Sequence, residues 1–367
     1  LTLKFTVLTA NPSPSSTDPF LLAPLVLHCE QPNHLFFFIS RSSGVFSMNA
    51  TRRTVLIAGA LSAITALSFS SAVFAASDLV EVQSLNAANK PITVAVPKNP
   101  QRIAVADFSV LDTLDHWGLG ERIVALPQTT ALPYLPQYFK KSKKVTNLGT
   151  LKEIDLEGLM AAEPDVIFIS GRLAKKYDEL SKIAPVVFMT ADHEKGTFKS
   201  FSDNLMNLAK IFGKEAAAQA DIDHFTGRID RIRAASAGKT AVVGLVTSAH
   251  FNLLGNKARC ALIGNEFGFQ NVAQNANANH GNEASFELLL KLNPDYIFVL
   301  DRDSAIARPG AKVAADVMNN ELVARTKAKA EGHIVYLSAA SWYLADGGYT
   351  SMNLQFQDIE KALGLTK

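Results

Sequence analysis

The chain has 367 residues, 48% of them hydrophobic and 19% charged, with 36 Lys and Arg against 34 Asp and Glu. This composition fits a globular protein long enough for two or three domains and excludes a fibrous or low-complexity chain. A formal net charge of +2 excludes a generally basic nucleic-acid surface, and two cysteines exclude a disulfide framework.

The first part of the chain reads as a leader. Met48 is followed by Arg52-Arg53, an apolar stretch from Thr54 to Phe74, and then Ala75-Ala76-Ser77. Positive n-region, apolar h-region and small-residue cleavage site make residues 48–75 a secretory signal peptide, cut after Ala75. Residues 1–47 are Pro- and Ser-rich and read as a spurious upstream extension. Without residues 1–75 the chain loses Lys4, Arg41, Arg52, Arg53, Asp18 and Glu30, which leaves 32 residues of each sign. Cys29 goes as well, leaving Cys260, and no Cys stands at the cleavage site to carry a lipid. A soluble, exported, periplasmic protein is expected.

In chain order, Asp78–Pro97 alternates loosely, as in an edge strand or hairpin. Ile103–Ala106 reads as a strand, Ser109–Trp117 as a helix closed by Gly118, and Ile123–Leu126 as a strand. Leu173–Ile183 is expected to be helical, Val186–Met189 a strand and Phe198–Phe212 a helix. Lys214–Ala235 then runs for about six helical turns. It lies midway along the exported chain and is the natural rigid connector. Ala241–Thr247 starts a second α/β half. Asn256–Gly268 reads as loop and helix, and Asn271–Asn282 as a polar loop. Ala314–Lys329 is expected to be a helix, Ile334–Leu337 a strand, Ser338–Thr350 an aromatic, Gly-rich loop, and Ser351–Leu363 the closing helix.

Ile154–Arg172 (IDLEGLMAAEPDVIFISGR) and Ala284–Arg302 (ASFELLLKLNPDYIFVLDR) are two copies of one pattern. At a constant offset they share Glu157 and Glu287, Leu159 and Leu289, Pro164-Asp165 and Pro294-Asp295, Ile167-Phe168 and Ile297-Phe298, and Arg172 and Arg302. Each copy is a short helix with an acid in its first turn, a Pro-Asp turn, and an apolar run suited to a strand buried on both faces. An Arg just beyond the carboxyl end of a parallel strand points into the crevice where open α/β sheets bind ligands. Two such halves suggest two lobes closing on one anionic ligand. The expected fold class is α/β, two Rossmann-like lobes with parallel sheets joined by a single long backbone helix. The expected boundaries are 76–212, 213–237 and 238–367.

No catalytic pattern emerges. There is no Gly-rich phosphate loop, no G-x-S-x-G elbow and no H-E-x-x-H, and the six histidines after the leader are scattered. What remains is a set of residues in loops that should converge: Arg172, Arg259, Arg302, His280, and Trp342-Tyr343.

Over Ile103–Leu365 the sequence resembles the periplasmic ferric-siderophore-binding proteins of ABC importers, in the subgroup of enterochelin, petrobactin and anguibactin binders. The cues are Pro100-x-Arg102-Ile103, the Leu-Glu…Pro-Asp-Ile-Phe repeat, Ile169–Arg172, Gly255…Arg259, Leu300–Arg302 and Ser341–Leu344 followed by Gly347-Gly348. The resemblance implies that Arg172, Arg259 and Arg302 line the cleft. It implies that His280 and Tyr343 (Tyr349 being the alternative) can ligate Fe(III) directly, with Trp342 beside them. Glu157 and Glu287 would dock on an inner-membrane ABC permease. The implied protein is a monomeric binder with no cofactor of its own, which carries a ferric siderophore, most readily a catecholate. The rivals are a haem or corrinoid carrier of the same fold, and a two-lobed α/β enzyme acting on ferric chelates. The absence of a nucleophile–base constellation or dinucleotide fingerprint argues against the latter.

Overall fold

The computed structural model describes residues 78–140, 144–276, 282–283 and 286–366. The expected leader, 1–47 and 48–75, and His280 lie outside the described residues. The described chain opens with an antiparallel hairpin, β1 (Leu79–Leu85) and β2 (Pro91–Pro97). Asn86 closes it, its side-chain oxygen accepting from Ala88 N at 2.9 Å and Lys90 N at 3.0 Å.

The first sheet contains β3 (Ile103–Ala106), β4 (Ile123–Leu126), β5 (Thr146–Asn147), β6 (Val166–Ile169) and β7 (Val186–Phe188) in the order β5-β4-β3-β6-β7. All its pairings are parallel. The second contains β8 (Thr240–Thr247), β9 (His250–Leu253), β10 (Gln270–Asn271), β11 (Asn282–Glu283), β12 (Tyr296–Asp301) and β13 (Ile334–Tyr336). Its path is β11-β9-β8-β12-β13, with β10 beside β8. The expected parallel arrangement holds for β8, β10, β12 and β13, whereas β9 and β11 run antiparallel. The β8–β9 hairpin turns on Ser248 (φ 50) and Ala249 (φ 62). A two-residue turn with both φ values positive matches strand twist, but Ser-Ala carries none of the usual Asn-Gly signature.

The central strands bury alternate residues on opposite faces. Ile103, Val105, Val166 and Phe168 enter one core cluster, and Ala104, Ala106, Ile167 and Ile169 another. In the second sheet Val243, Leu245, Phe298 and Leu300 join the first of these clusters, while Val242, Val246, Ile297 and Val299 form a third. This period of two with both faces covered explains the continuous apolar runs. The repeated Pro-Asp also has a structural reason. Asp165 accepts from Gln101 N and Arg102 N at 2.8 Å each, just before β3, and Asp295 accepts from Thr240 N at 2.8 Å, at the start of β8. Each aspartate ties its own strand to the start of its parallel neighbour.

The long helix Glu215–Ser236 follows Gly213, which ends the preceding helix Thr197–Phe212 in the left-handed conformation (φ 62). Ala218, Phe225, Ile229 and Ile232 face inward as the spacing predicts. Arg228 is buried on the same helix and forms a bidentate pair with Glu360, at 2.9 and 2.8 Å. Glu360 belongs to the closing helix Tyr349–Ala362, which also packs on the first helix, Phe108–His116. There Asp112 accepts from Thr350 N at 2.9 Å and Ser351 N at 2.7 Å, capping the closing helix from the first half of the chain. Burial pushes the Asp112 carboxyl up to about 6.

Two expected helices are interrupted. Leu173–Ile183 is a 3₁₀ segment, Gly171–Lys176, followed by Tyr177–Leu180. Ala314–Lys329 divides into Ala314–Met318, Glu321–Ala324 and Lys327–Ala330. Asn320 and Thr326 start new helices there by accepting from backbone N–H groups, the habit of N-cap side chains. No helix among the described residues is long and apolar enough to cross a membrane.

Candidate functional site

Arg172, Arg259 and Arg302 converge on Tyr343. Arg172 follows β6, and its Nη2 donates to the Tyr343 main-chain oxygen at 2.9 Å. Arg259 lies in the loop after β9. Gly255 opens that loop, and a Cβ there would stand 2.2 Å from Ala276 O and 2.6 Å from Gln274 O, so only glycine fits. Arg259 Nη1 reaches the Trp342 and Tyr343 carbonyls at 3.4 and 3.3 Å, and its guanidinium carbon sits 4.5 Å from the centre of the Tyr343 ring. Arg302 follows β12. Its Nε donates to Tyr343 Oη at 2.8 Å, and its Nη1 donates to Thr247 Oγ1 at 3.1 Å and Asp303 Oδ1 at 3.2 Å. Carbonyl, ring and hydroxyl of one tyrosine thus meet three cations drawn from both sheets.

Tyr343 ends the short helix Ala339–Tyr343, within a stretch read from sequence as loop. The closing helix fixes it. Asp358 accepts from Ser338 N at 2.7 Å and from Trp342 Nε1 at 2.9 Å, while Ser351 Oγ and Gln355 Nε2 donate to Ser341 O. Trp342 is 1% exposed, its indole packed in the core. It reaches the cluster only through its carbonyl. Tyr349 stacks on His116 (centroids 3.4 Å, planes at 7°) and packs on Phe225, away from the arginines. His280 lies outside the described residues. Glu157 and Glu287 are both exposed in the first turns of their helices, Leu156–Ala161 and Phe286–Leu292.

Burial drives the Arg172 guanidinium below its ordinary pKa, and neighbouring Arg259 adds to this, while Asp107, Tyr343 and Asp346 oppose it. Burial raises Asp107. Arg259 Nε is buried without a hydrogen-bond partner among the described residues. Like charges gathered in a poorly solvated place are costly unless an anion joins them. Guanidinium donors so placed can bind negative oxygens in forked pairs. Sequence reasoning missed Asp107, Asp303, Thr247 and Asp346. The Asp107-x-Ser109 cap, in which Asp107 Oδ1 accepts from Ser109 N at 2.8 Å, was legible as a helix start directly after a strand. No group of three or more His, Cys, Asp or Glu residues is placed to hold a metal among the described residues.

Comparison with known proteins agrees with this architecture. Petrobactin-binding protein YclQ of Bacillus subtilis is 36% identical over 272 residues, 73% of this chain and 84% of YclQ. Its crystal structure covers 77% of this chain and 99% of its own with a TM-score of 0.72. The iron uptake ABC transporter substrate-binding protein PiuA of Streptococcus pneumoniae aligns at TM-score 0.71 and 30% identity, covering 77% of this chain and 98% of PiuA. The periplasmic catecholate-siderophore binding protein VctP of Vibrio cholerae aligns at 0.70 and 29%, covering 77% of this chain and all (100%) of VctP. Residues 103–340 match the periplasmic binding protein family, and the chain belongs to it.

Proposed function

We propose that this protein is the exported, periplasmic substrate-binding component that captures a ferric siderophore, of catecholate type, and delivers it to an ABC permease. The observation that carries the reading is the convergence of Arg172, Arg259 and Arg302 on Tyr343. Ferric catecholates are anionic, and their electron-rich rings and oxygens suit guanidinium stacking and forked hydrogen bonds. The name of VctP supports a catecholate siderophore, while those of YclQ and PiuA support petrobactin binding and iron uptake. Haem or a corrinoid would ask for a more apolar cleft with fewer arginines. The protein acts as a binder, without turnover, as a monomer.

Fe(III) prefers hard oxygen donors, and a tyrosine oxygen is one. A ligand offering four oxygens leaves two octahedral positions, which we assign to Tyr343 and His280. Tyr343 Oη accepts from Arg302 Nε, so ligation would compete with that hydrogen bond. Glu157 and Glu287 we assign to permease docking. Helices that cross between parallel strands begin at the strands' carboxyl ends, so both glutamates stand on the rim that carries the arginines. Met160 and Leu288, 53% and 40% exposed, add apolar surface to the same two helices.

Titration with a ferric bis-catecholate, a ferric hydroxamate and haem, followed by tryptophan fluorescence and the iron charge-transfer band, tests the reading. Tight binding of the catecholate is expected, with a shifted band that Tyr343→Phe removes. An unchanged band in that variant excludes direct ligation. Preference for haem or the hydroxamate overturns the catecholate assignment.

A further inference from the structure

Asp107 is the first residue after β3, and Ala106 before it pairs with Ile169 of the parallel neighbour β6. The two strands thus deliver Asp107 and, shortly beyond Ile169, Arg172 to one edge of the sheet. Both line a cavity of about 70 Å³, together with Asp346 from the segment before the closing helix. The cavity is large enough to admit water. Asp107 is 6% exposed, and Ser170, on the same cavity, has a buried hydroxyl with no partner among the described residues. Asp107 Oδ1 accepts from Ser109 N and Oγ at 2.8 Å each, as cap of the helix Phe108–His116. The charged groups that face Asp107 across the cavity are Arg172 and Asp346. Helix Thr197–Phe212 and the end of β7 contribute uncharged residues to the lining, and His193 stands 3.8 Å from Asp346.

We propose that Asp107 is a positioning residue for Arg172 and that it takes up a proton from solvent when an anionic ligand engages the arginines. The inference rests on the ferric-catecholate reading above and adds to it a proton as the ligand's companion. Burial holds the Asp107 carboxyl above its ordinary 3.8, while the Ser109 donors and the Arg172 charge pull it back. An anion on Arg172 offsets that last pull. The carboxylate is then left facing negative charge in a poorly solvated place, which favours its neutral form. Once protonated, Asp107 no longer competes with the ligand for the Arg172 charge. A carboxyl that binds its proton more tightly in the complex than in the free protein makes affinity rise as pH falls through its range.

Asp107→Asn and Asp107→Ser both keep a residue able to cap the helix. Wild type and both variants are titrated with a ferric bis-catecholate from pH 5 to pH 8, by calorimetry in pairs of buffers of different ionisation enthalpy. Protonation of the ligand itself is common to all three proteins and cancels in the comparison. Wild type is expected to take up about half a proton or more beyond either variant at some pH in this range. Both variants are expected to bind about fivefold more tightly than wild type at pH 8 and within about twofold of it at pH 5. A merely structural role for Asp107 would instead weaken binding at every pH. Equal proton uptake in wild type and variants, or uptake that disappears in Asp346→Asn and persists in the Asp107 variants, overturns the inference and leaves the arginine reading intact. Failure of wild type to bind the complex overturns the catecholate reading, and this inference with it.

Discussion

Arg172 and Arg302 hold the same place in two copies of one pattern, yet the chain compensates them differently. Arg302 is anchored on its own side by Thr247 and by Asp303, which is 1% exposed and also pairs with Arg308 at 3.1 Å. Arg172 donates one hydrogen bond among the described residues, to a main-chain carbonyl of the other half. The first copy thus leaves more of its hydrogen-bond donors uncommitted among the described residues, while the second spends part of its own on scaffolding. A shared motif fixes where a side chain emerges. Its neighbours decide how much of it remains for a ligand.

The largest effect should come where the two copies act alike. Reversing both rim acids, Glu157→Lys with Glu287→Lys, is expected to abolish iron uptake in cells while the dissociation constant stays within about twofold. First-turn acids contribute only about 0.3–1 kcal/mol to their helices, so the melting temperature should barely move. Uptake that survives the double reversal removes the docking role. The arginines should then diverge. Arg172→Ala is expected to weaken a ferric bis-catecholate about a hundredfold, close to 3 kcal/mol, and Arg302→Ala about tenfold. Isothermal titration decides this, and equal losses would break the comparison.

The smallest effect lies in the paired aspartates. Hydrogen bonding to Lys327, with help from Thr240, holds the Asp295 carboxyl down at about 2, below its ordinary 3.8. Its stabilisation is therefore complete above about pH 4 and is lost as pH falls through about 2. The Asp295 side chain is 22% exposed but its partner Lys327 is 48% exposed, so Asp295→Asn should cost only about 1 kcal/mol at neutral pH. It should also flatten the acid limb of a urea-melt series. Asp165, which also accepts from backbone N–H groups, should share the neutral-pH loss.

The central strands, the long helix and the emergence of Arg172 and Arg302 were legible because each depends on local pattern: apolar runs for buried strands, six turns of inward-facing spacing, a cation just past a strand end. What was not legible depends on partners far along the chain. Nothing near Ser338 signals that Asp358 will cap its helix and turn Trp342 into the core. Nothing near Asp112 signals that it will receive the N–H groups of Thr350 and Ser351. β9 escaped because Ser-Ala is a poor advertisement for a two-residue turn. Tyr349 and Tyr343 could not be told apart in a Gly-rich stretch, and only packing separates the ring stacked on His116 from the one among the arginines.

The closing helix is stitched to the rest by Asp112 from the first half and by Arg228 from the connector. It also supplies the groups that seat Tyr343. Competence to hold a ligand therefore cannot arise in either half alone. The arginine–Tyr343 cluster depends on the final helix being docked.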